Sequence, residues 1–240
     1  METNLIIPYL QDMDEEAQLK VAIASWLQNF NGKLKIYVIG DDPKIEGVEH
    51  MPLPSVECPE QKLFGAVTTA IMNEDISDEF IVAMPNVFVA NKINAAHVLI
   101  RKGYNKFPTD LNDRVNNSLQ LLYDKGVDVP FLPCFDIPFM VNKFKWADIM
   151  DQFPEWSTDD LDMSVIYQAL TSDAVVSPLD WRTDCWLLPV VKDNTNPQDF
   201  EQFVKNKAFV SCTLKGWNPT LKAWAKRNIA FVKPVEKIKK

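Results

Sequence analysis

Hydrophobic positions in the first ninety residues follow two alternating rhythms. Leu5-Ile6-Ile7-Pro8-Tyr9-Leu10 is a short, almost unbroken apolar run, which predicts a strand over 4–10. After the acidic stretch Asp12-Met13-Asp14-Glu15-Glu16, apolar residues recur at Leu19, Ala22, Ile23, Trp26, Leu27 and Phe30. That three-and-four spacing predicts a helix with one buried face, ended by Asn31-Gly32. Leu34-Lys35-Ile36-Tyr37-Val38-Ile39 predicts a second strand, closed by the turn residues Gly40-Asp41-Asp42-Pro43. A shorter third strand is expected over 48–53. A second amphipathic helix is expected over 60–73, with Leu63, Phe64, Val67 and Ile71 on one side.

The stretch Phe80-Ile81-Val82-Ala83-Met84 then predicts a strand buried on both faces, followed by Pro85-Asn86 and a further apolar run, Val87-Phe88-Val89. The order strand, helix, strand, strand, helix, strand marks one half of a doubly wound α/β fold. Ligands of such folds bind beyond the carboxyl ends of the strands, which puts Pro85 and Asn86 where function is usually sited. After residue 90 the pattern loosens. Helices are expected over 112–125 (Val115, Leu119, Leu122 and Tyr123 inward, Gly126 at the end), 146–153, 158–170 and 219–227, with short elements around 208–211. Asp159, Asp160 and Asp162 suit the start of the third of these helices, where negative charge complements the helix dipole. The expectation is a single domain over 1–240, with a ligand-binding half over 1–90 and an acceptor-side half over 91–240.

The order Ile6-Ile7-Pro8-Tyr9, then Ala22-Ile23-Ala24-Ser25-Trp26, then Val38-Ile39-Gly40-Asp41-Asp42-Pro43 resembles the nucleotide-sugar-binding half of GT-A-fold glycosyltransferases. More narrowly, it is similar to small bacterial and phage relatives of capsule-type sugar transferases. Pro138-Phe139-Met140-Val141-Asn142-Lys143 and the segment 219–236 add weaker likenesses. The resemblance is firmest over residues 5–90. It implies a GT-A-like (Rossmann-like) α/β fold, with a mixed, mostly parallel sheet, helices on both faces and a less regular C-terminal half. It also implies transfer of a sugar from a nucleotide-linked donor to a glycan or other hydroxyl acceptor.

One departure from the family pattern bears directly on the chemistry. Pro85 and Asn86 stand where the family carries paired aspartates, which hold a divalent cation (manganese or magnesium) against the donor's diphosphate. A hard cation prefers charged oxygen ligands, and proline and asparagine supply none, so a metal cofactor is placed in doubt. The donor is then expected near Pro8, Asp41, Asp42, Lys62 and Asn86. Asp41 and Asp42 equally read as a turn-initiating pair before Pro43, and Lys62 as an ordinary solvated lysine beside a helix N-terminus that suits phosphate. Asp136, isolated in the apolar run Pro133-Cys134-Phe135-Asp136-Ile137-Pro138, reads either as a general base toward the acceptor or as a carboxylate capping loop amides. Asp180 and Asp184 flank a loop whose Trp181 and Trp186 suit sugar stacking or the core. An alternative from another class is a non-catalytic scaffold that binds carbohydrate or protein after loss of the metal carboxylates.

Charge and composition narrow the partners. The formal net charge of −8 works against duplex nucleic acid, whose phosphates need a basic face. The lysine-rich stretch 233–240 reads as a solvated tail. Cys58, Cys134, Cys185 and Cys212 are dispersed without a CxxC, and the only histidines are His50 and His97, so no zinc motif is present. Met1-Glu2-Thr3-Asn4 opens without a basic leader, and no apolar window is long enough to span a membrane. The expected setting is cytoplasmic.

Overall fold

The computed structural model of the chain describes residues 2–11, 16–53, 62–99, 101–104, 111, 113–129, 132–133, 137–152, 161–171, 176–178, 184–188, 197–212 and 216–230. The first part of the chain runs β1 (Glu2–Tyr9), α1 (Glu16–Asn29), β2 (Lys33–Gly40), β3 (Glu49–Pro52), α2 (Lys62–Ile71), β4 (Glu79–Val82) and β5 (Val87–Val89). It continues through α3 (Ala96–Leu99), β6 (Arg101–Tyr104), α4 (Asp113–Asp124), β7 (Leu132–Pro133), β8 (Phe139–Asn142), α5 (Lys143–Gln152) and α6 (Met163–Leu170). The remainder is β9 (Val176–Pro178), β10 (Cys185–Leu188), α7 (Pro197–Val204), β11 (Phe209–Cys212) and α8 (Pro219–Asn228).

The central sheet has the order β3-β2-β1-β4-β8. Its first four strands are parallel, and β8 runs antiparallel to β4, with Phe139 opposite Val82 and Asn142 opposite Glu79. The fold is therefore α/β with a mixed, mostly parallel sheet. Two three-stranded sheets accompany it, β10-β11-β5 and β7-β6-β9. Strands from the two expected halves pair with each other: β4 with β8, and β5 with β11.

Strand periodicity divides the core in two. Leu5, Ile7, Ile36, Val38, Ile81 and Ala83 point to one face and pack with Leu19, Ile23 and Trp26 of α1. Ile6, Tyr37, Ile39, Phe80 and Val82 point to the other and pack with Ala66, Val67 and Ala70 of α2 and with Trp146 and Ile166 of α5 and α6. Crossover helices thus cover both faces, as the apolar runs of the strands require.

Helix α1 departs from the one-sided helix expected from the sequence. Val21, Ala22 and Ala24 on its back face join a third core with Phe88, Val210, Cys212, Leu221 and Trp224. The helix is buried on two sides, with the central sheet on one and α7 and α8 on the other, and it lies beside the edge of the β10-β11-β5 sheet. Leu27, expected inward, falls outside both faces and is half-exposed. Tyr123, also expected inward, is 76 % exposed on α4. The spacing of these residues suits a buried stripe, but tertiary packing selects a neighbouring stripe instead. Elsewhere, Asp162 is the N-cap of α6: its carboxylate accepts from the Ser164 and Val165 N–H groups, as a helix-start residue should. Asp159 and Asp160 lie outside the described residues.

The free edge of β5 is closed by α1. The Ser25 hydroxyl accepts from the Val89 N–H at 2.9 Å and donates to the Ala22 carbonyl at 2.7 Å, and the Asn29 amide donates to the Val89 carbonyl at 2.8 Å. All three residues are buried. Ser25→Ala leaves a buried N–H unpaired and is expected to cost about 1–3 kcal/mol. Asn29→Ala should cost a similar amount through the carbonyl of the same residue. Because both changes release one backbone segment, the double variant should lose less than the sum of the single losses, measured by equilibrium urea unfolding.

At the end of β2, Gly40 has φ +131°, and a Cβ there would lie 1.9 Å from the Tyr9 carbonyl oxygen. Gly40→Ala therefore has to part β1 from β2 at their carboxyl ends. The expected outcome is a loss of about 3 kcal/mol or more, or failure to fold, read from the thermal midpoint and soluble yield.

Candidate functional site

The carboxyl ends of β1, β2, β3 and β4 form one rim of the central sheet. The chain winds from β1 through β2 to β3 and then returns to the other side of β1 for β4, so the strand order reverses between β1 and β4, which is the switch point of the sheet. The β1–β2 ladder continues to Tyr9 opposite Gly40, whereas β1 and β4 pair only at Leu5 with Ile81 and Ile6 with Val82. The last bond between them runs from the Ala83 N–H to the Ile6 carbonyl at 3.1 Å. The next donor in a parallel ladder would be the N–H of residue 8. Pro8 has none, so β1 and β4 part at that residue. Pro8 itself is buried.

Asp41 follows β2 at this rim. Its N–H donates to the Tyr9 carbonyl at 2.9 Å, and its carboxylate accepts from the Gln11 N–H at 2.6 Å. The exposed side chain therefore ties the chain leaving β1 to the end of β2. Asp42 accepts from the Lys44 N–H at 2.9 Å, and Lys44 has φ 51°. That arrangement is an Asx turn, the turn-forming role of the pair. On the β3 side, the His50 imidazole Nε2 lies 2.9 Å from the Gly40 carbonyl. Lys62 opens α2 and is only 5 % exposed, which differs from the solvated lysine that is the ordinary expectation. Gln11 carries no recognisable signal in the sequence, because its contribution comes from its backbone rather than its side chain.

Pro85 and Asn86 form the turn between β4 and β5. The Val87 N–H donates to the Met84 carbonyl at 3.1 Å, which places Pro85 at the second position and Asn86 at the third. Asn86 does not take positive φ, consistent with a type I turn, and proline's fixed φ suits the position before it. The Asn86 carbonyl accepts from the Cys212 N–H at 3.1 Å, so the turn is held to β11 of the second sheet. Asn86 and Asp41 thus follow strands on opposite sides of β1, at the same rim. Two interstrand spacings put such strand ends on the order of 10 Å apart.

Cys212 sits behind this turn. Its thiol accepts from the Gln18 amide at 3.3 Å, and burial pushes its pKa up to about 12 despite that hydrogen bond. It is an inert core thiol rather than a nucleophile.

Asp136 lies outside the described residues, as do Cys58, Cys134, Asp180 and Trp181. The described neighbours Ile137 and Phe139 are buried, and Phe139 pairs with Val82 at the carboxyl end of β4. Lys143, part of the second-half likeness, works at the opposite rim: its ammonium donates to the carbonyls of Asn73 at 2.7 Å and Ile76 at 2.5 Å. Among the described residues, no group of three or more His, Cys, Asp or Glu side chains is placed to hold a metal ion. No helix among them is long and apolar enough to cross a membrane. Comparison of the sequence with protein-family models and with curated proteins finds no match.

Proposed function

We propose that this chain is a GT-A-like, glycosyltransferase-like protein that binds a nucleotide-linked sugar across the carboxyl ends of β1, β2 and β4 and transfers the sugar to a hydroxyl of a glycan or other small acceptor. The observation that carries this reading is the parting of β1 and β4 at Pro8, at the topological switch point of a mostly parallel sheet. The antiparallel β8 beside β4 and the buried Lys62 at the start of α2 support it. In this reading the Asp41 carboxylate shapes the nucleotide side of the site by holding Gln11. Asp136, one residue before the buried Ile137, serves as the base toward the acceptor. The setting proposed is the cytoplasm.

A second reading is a carbohydrate- or protein-binding scaffold without transfer chemistry. It is favoured by the fact that both Asp41 and Asp42 already accept backbone N–H groups. Turnover separates the two readings, since the scaffold would bind the donor without releasing the nucleotide product.

Donor binding is expected to change less than tenfold (about 1.4 kcal/mol) between manganese and a chelator, because the turn after β4 offers no carboxylate. Calorimetry with a panel of nucleotide sugars checks this. Binding that manganese tightens tenfold or more would show that other residues assemble a cation site, and no binding by any donor would overturn the nucleotide reading itself.

Within the transferase reading, Asp136→Asn should lower the transfer rate at least about a hundredfold, the lower end of general-base contributions, while donor affinity holds. Asp41→Ala should weaken donor binding about tenfold, and Asp41→Asn should recover most of the loss by keeping an acceptor for Gln11. Single-turnover rates and calorimetry measure these effects separately. A recovered affinity assigns Asp41 a positioning role, whereas failure of the asparagine variant assigns the effect to charge.

A further inference from the structure

Helix α4 and the chain that follows it enclose a groove of about 600 Å³ lined by Asn116, Leu119, Gln120 and Tyr123 on one side and Gly126 to Val129 on the other. We propose that this groove binds uncharged carbohydrate. The proposal goes beyond the donor site and requires no transfer chemistry.

The groove is built by two local devices. Asn116, Leu119, Gln120 and Tyr123 are spaced i, i+3, i+4 and i+7, so they form one stripe along α4, adjacent to the buried stripe of Val115, Ser118 and Leu122. The opposite wall is set by the helix ending. The Gly126 N–H donates to the Tyr123 carbonyl at 2.9 Å and the Val127 N–H to the Leu122 carbonyl at 2.9 Å, a Schellman motif with Gly126 at φ +76°. The motif turns the chain back beside the helix, where Val127 and Val129 pack against the core below α4. The outer wall is therefore anchored.

The lining chemistry selects the ligand class. Tyr123 presents a ring that is 76 % exposed, a flat apolar surface beside polar groups, as a pyranose face requires. Each lining amide uses one N–H within the protein: Asn116 Nδ2 donates to the Leu111 carbonyl at 3.2 Å and Gln120 Nε2 to Asp124 at 2.7 Å. The side-chain amides of Asn116 and Gln120 bring acceptor oxygens to the lining, and Asp128 adds a carboxylate. Acceptors beside an aromatic face suit hydroxyl donors. The charged residue among the described lining residues is Asp128, whose carboxylate works against phosphate, sulfate and acidic sugars. The size falls within the range of small-ligand sites and fits a unit of one or two sugars.

The test is saturation-transfer NMR on the full chain without nucleotide, using cellohexaose, maltohexaose and chitohexaose as probes and a sulfated oligosaccharide as control. At least one neutral probe is expected to bind with a millimolar or tighter dissociation constant, and the sulfated control is not. Tyr123→Ala should weaken that binding at least about tenfold, while Tyr123→Phe keeps it. Because the ring is exposed, the thermal midpoint of Tyr123→Ala should stay near that of the parent chain, and a folded variant is thereby assured. The proposal is overturned if no neutral probe binds, if Tyr123→Ala leaves binding unchanged, or if the sulfated control binds in preference. Donor calorimetry on the Tyr123→Ala variant keeps this result separate from the nucleotide reading, since donor affinity should not move.

Discussion

The structure depends on the burial of α1 between the central sheet on one side and α7 and α8 on the other, with the edge of β5 alongside it. A helix with core on both sides buries most of its length, so the polar groups on its buried faces need partners inside the protein. Ser25 and Asn29 satisfy this constraint by bonding both backbone groups of Val89. The same pair of bonds covers the edge of β5 at Val89, a strand whose neighbour among the described residues is β11. One peptide segment thereby fixes the second sheet to the central one. Trp26 reinforces the arrangement from the other side of the helix, with its ring 6.0 Å from Phe30 and 6.2 Å from Phe209. A large core substitution at such a position typically costs about 3–5 kcal/mol, more than any single surface contact in the molecule can supply.

This docking also shapes the sheet rim. Because β5 is held against α1, the chain leaving β4 must turn sharply within four residues, and Pro85 and Asn86 make that turn. Two backbone choices open and set the rest of the rim. Proline at position 8 ends the β1–β4 ladder, and glycine at position 40 lets β2 pass the Tyr9 carbonyl at a distance no side chain tolerates. The rim is thus fixed by the absence of a donor at one residue and of a Cβ at another, with Asp41 tying the two strand ends together.

The parallel half of the fold was legible because its strands are apolar runs closed by Gly, Asp and Pro, and such runs have few other uses. The observed β1, β2, β3 and β4 lie within a few residues of the expected strands, and α1 and α2 match their expected helices. The membership of β5 in a second sheet was not legible, since Val87-Phe88-Val89 reads simply as more of the same buried run. Its partner, β11, lies about 120 residues away, and local pattern carries no information on such pairing. The side chosen by α4 was hidden for a related reason. Val115, Leu119, Leu122 and Tyr123 all satisfy a helical stripe, but only contact with α6 and β7 decides that Ser118 goes inside and Tyr123 outside. At the candidate site, the position of Asp41, Asp42 and Asn86 just beyond strands was legible from the turn residues that close the apolar runs, whereas the burial of Lys62 depends on tertiary packing that spacing does not encode.

The absence of carboxylates at the end of β4 is consistent with the packing of the turn. Type I turns accept aspartate readily, so the backbone alone does not demand proline and asparagine. Pro85, however, is buried. A carboxylate in that position would need a cation or several donors to offset its desolvation, and without them it would destabilise the junction between the two sheets. Proline removes that requirement, and its restricted φ lowers the entropy lost in forming the turn by an amount worth roughly 0.4–1 kcal/mol. Asn86, partly exposed, keeps a polar side chain at the rim while its carbonyl secures β11. The turn therefore makes its structural contribution without a carboxylate, and in the proposed reading charge compensation for a diphosphate comes from cationic side chains and backbone N–H groups around the rim.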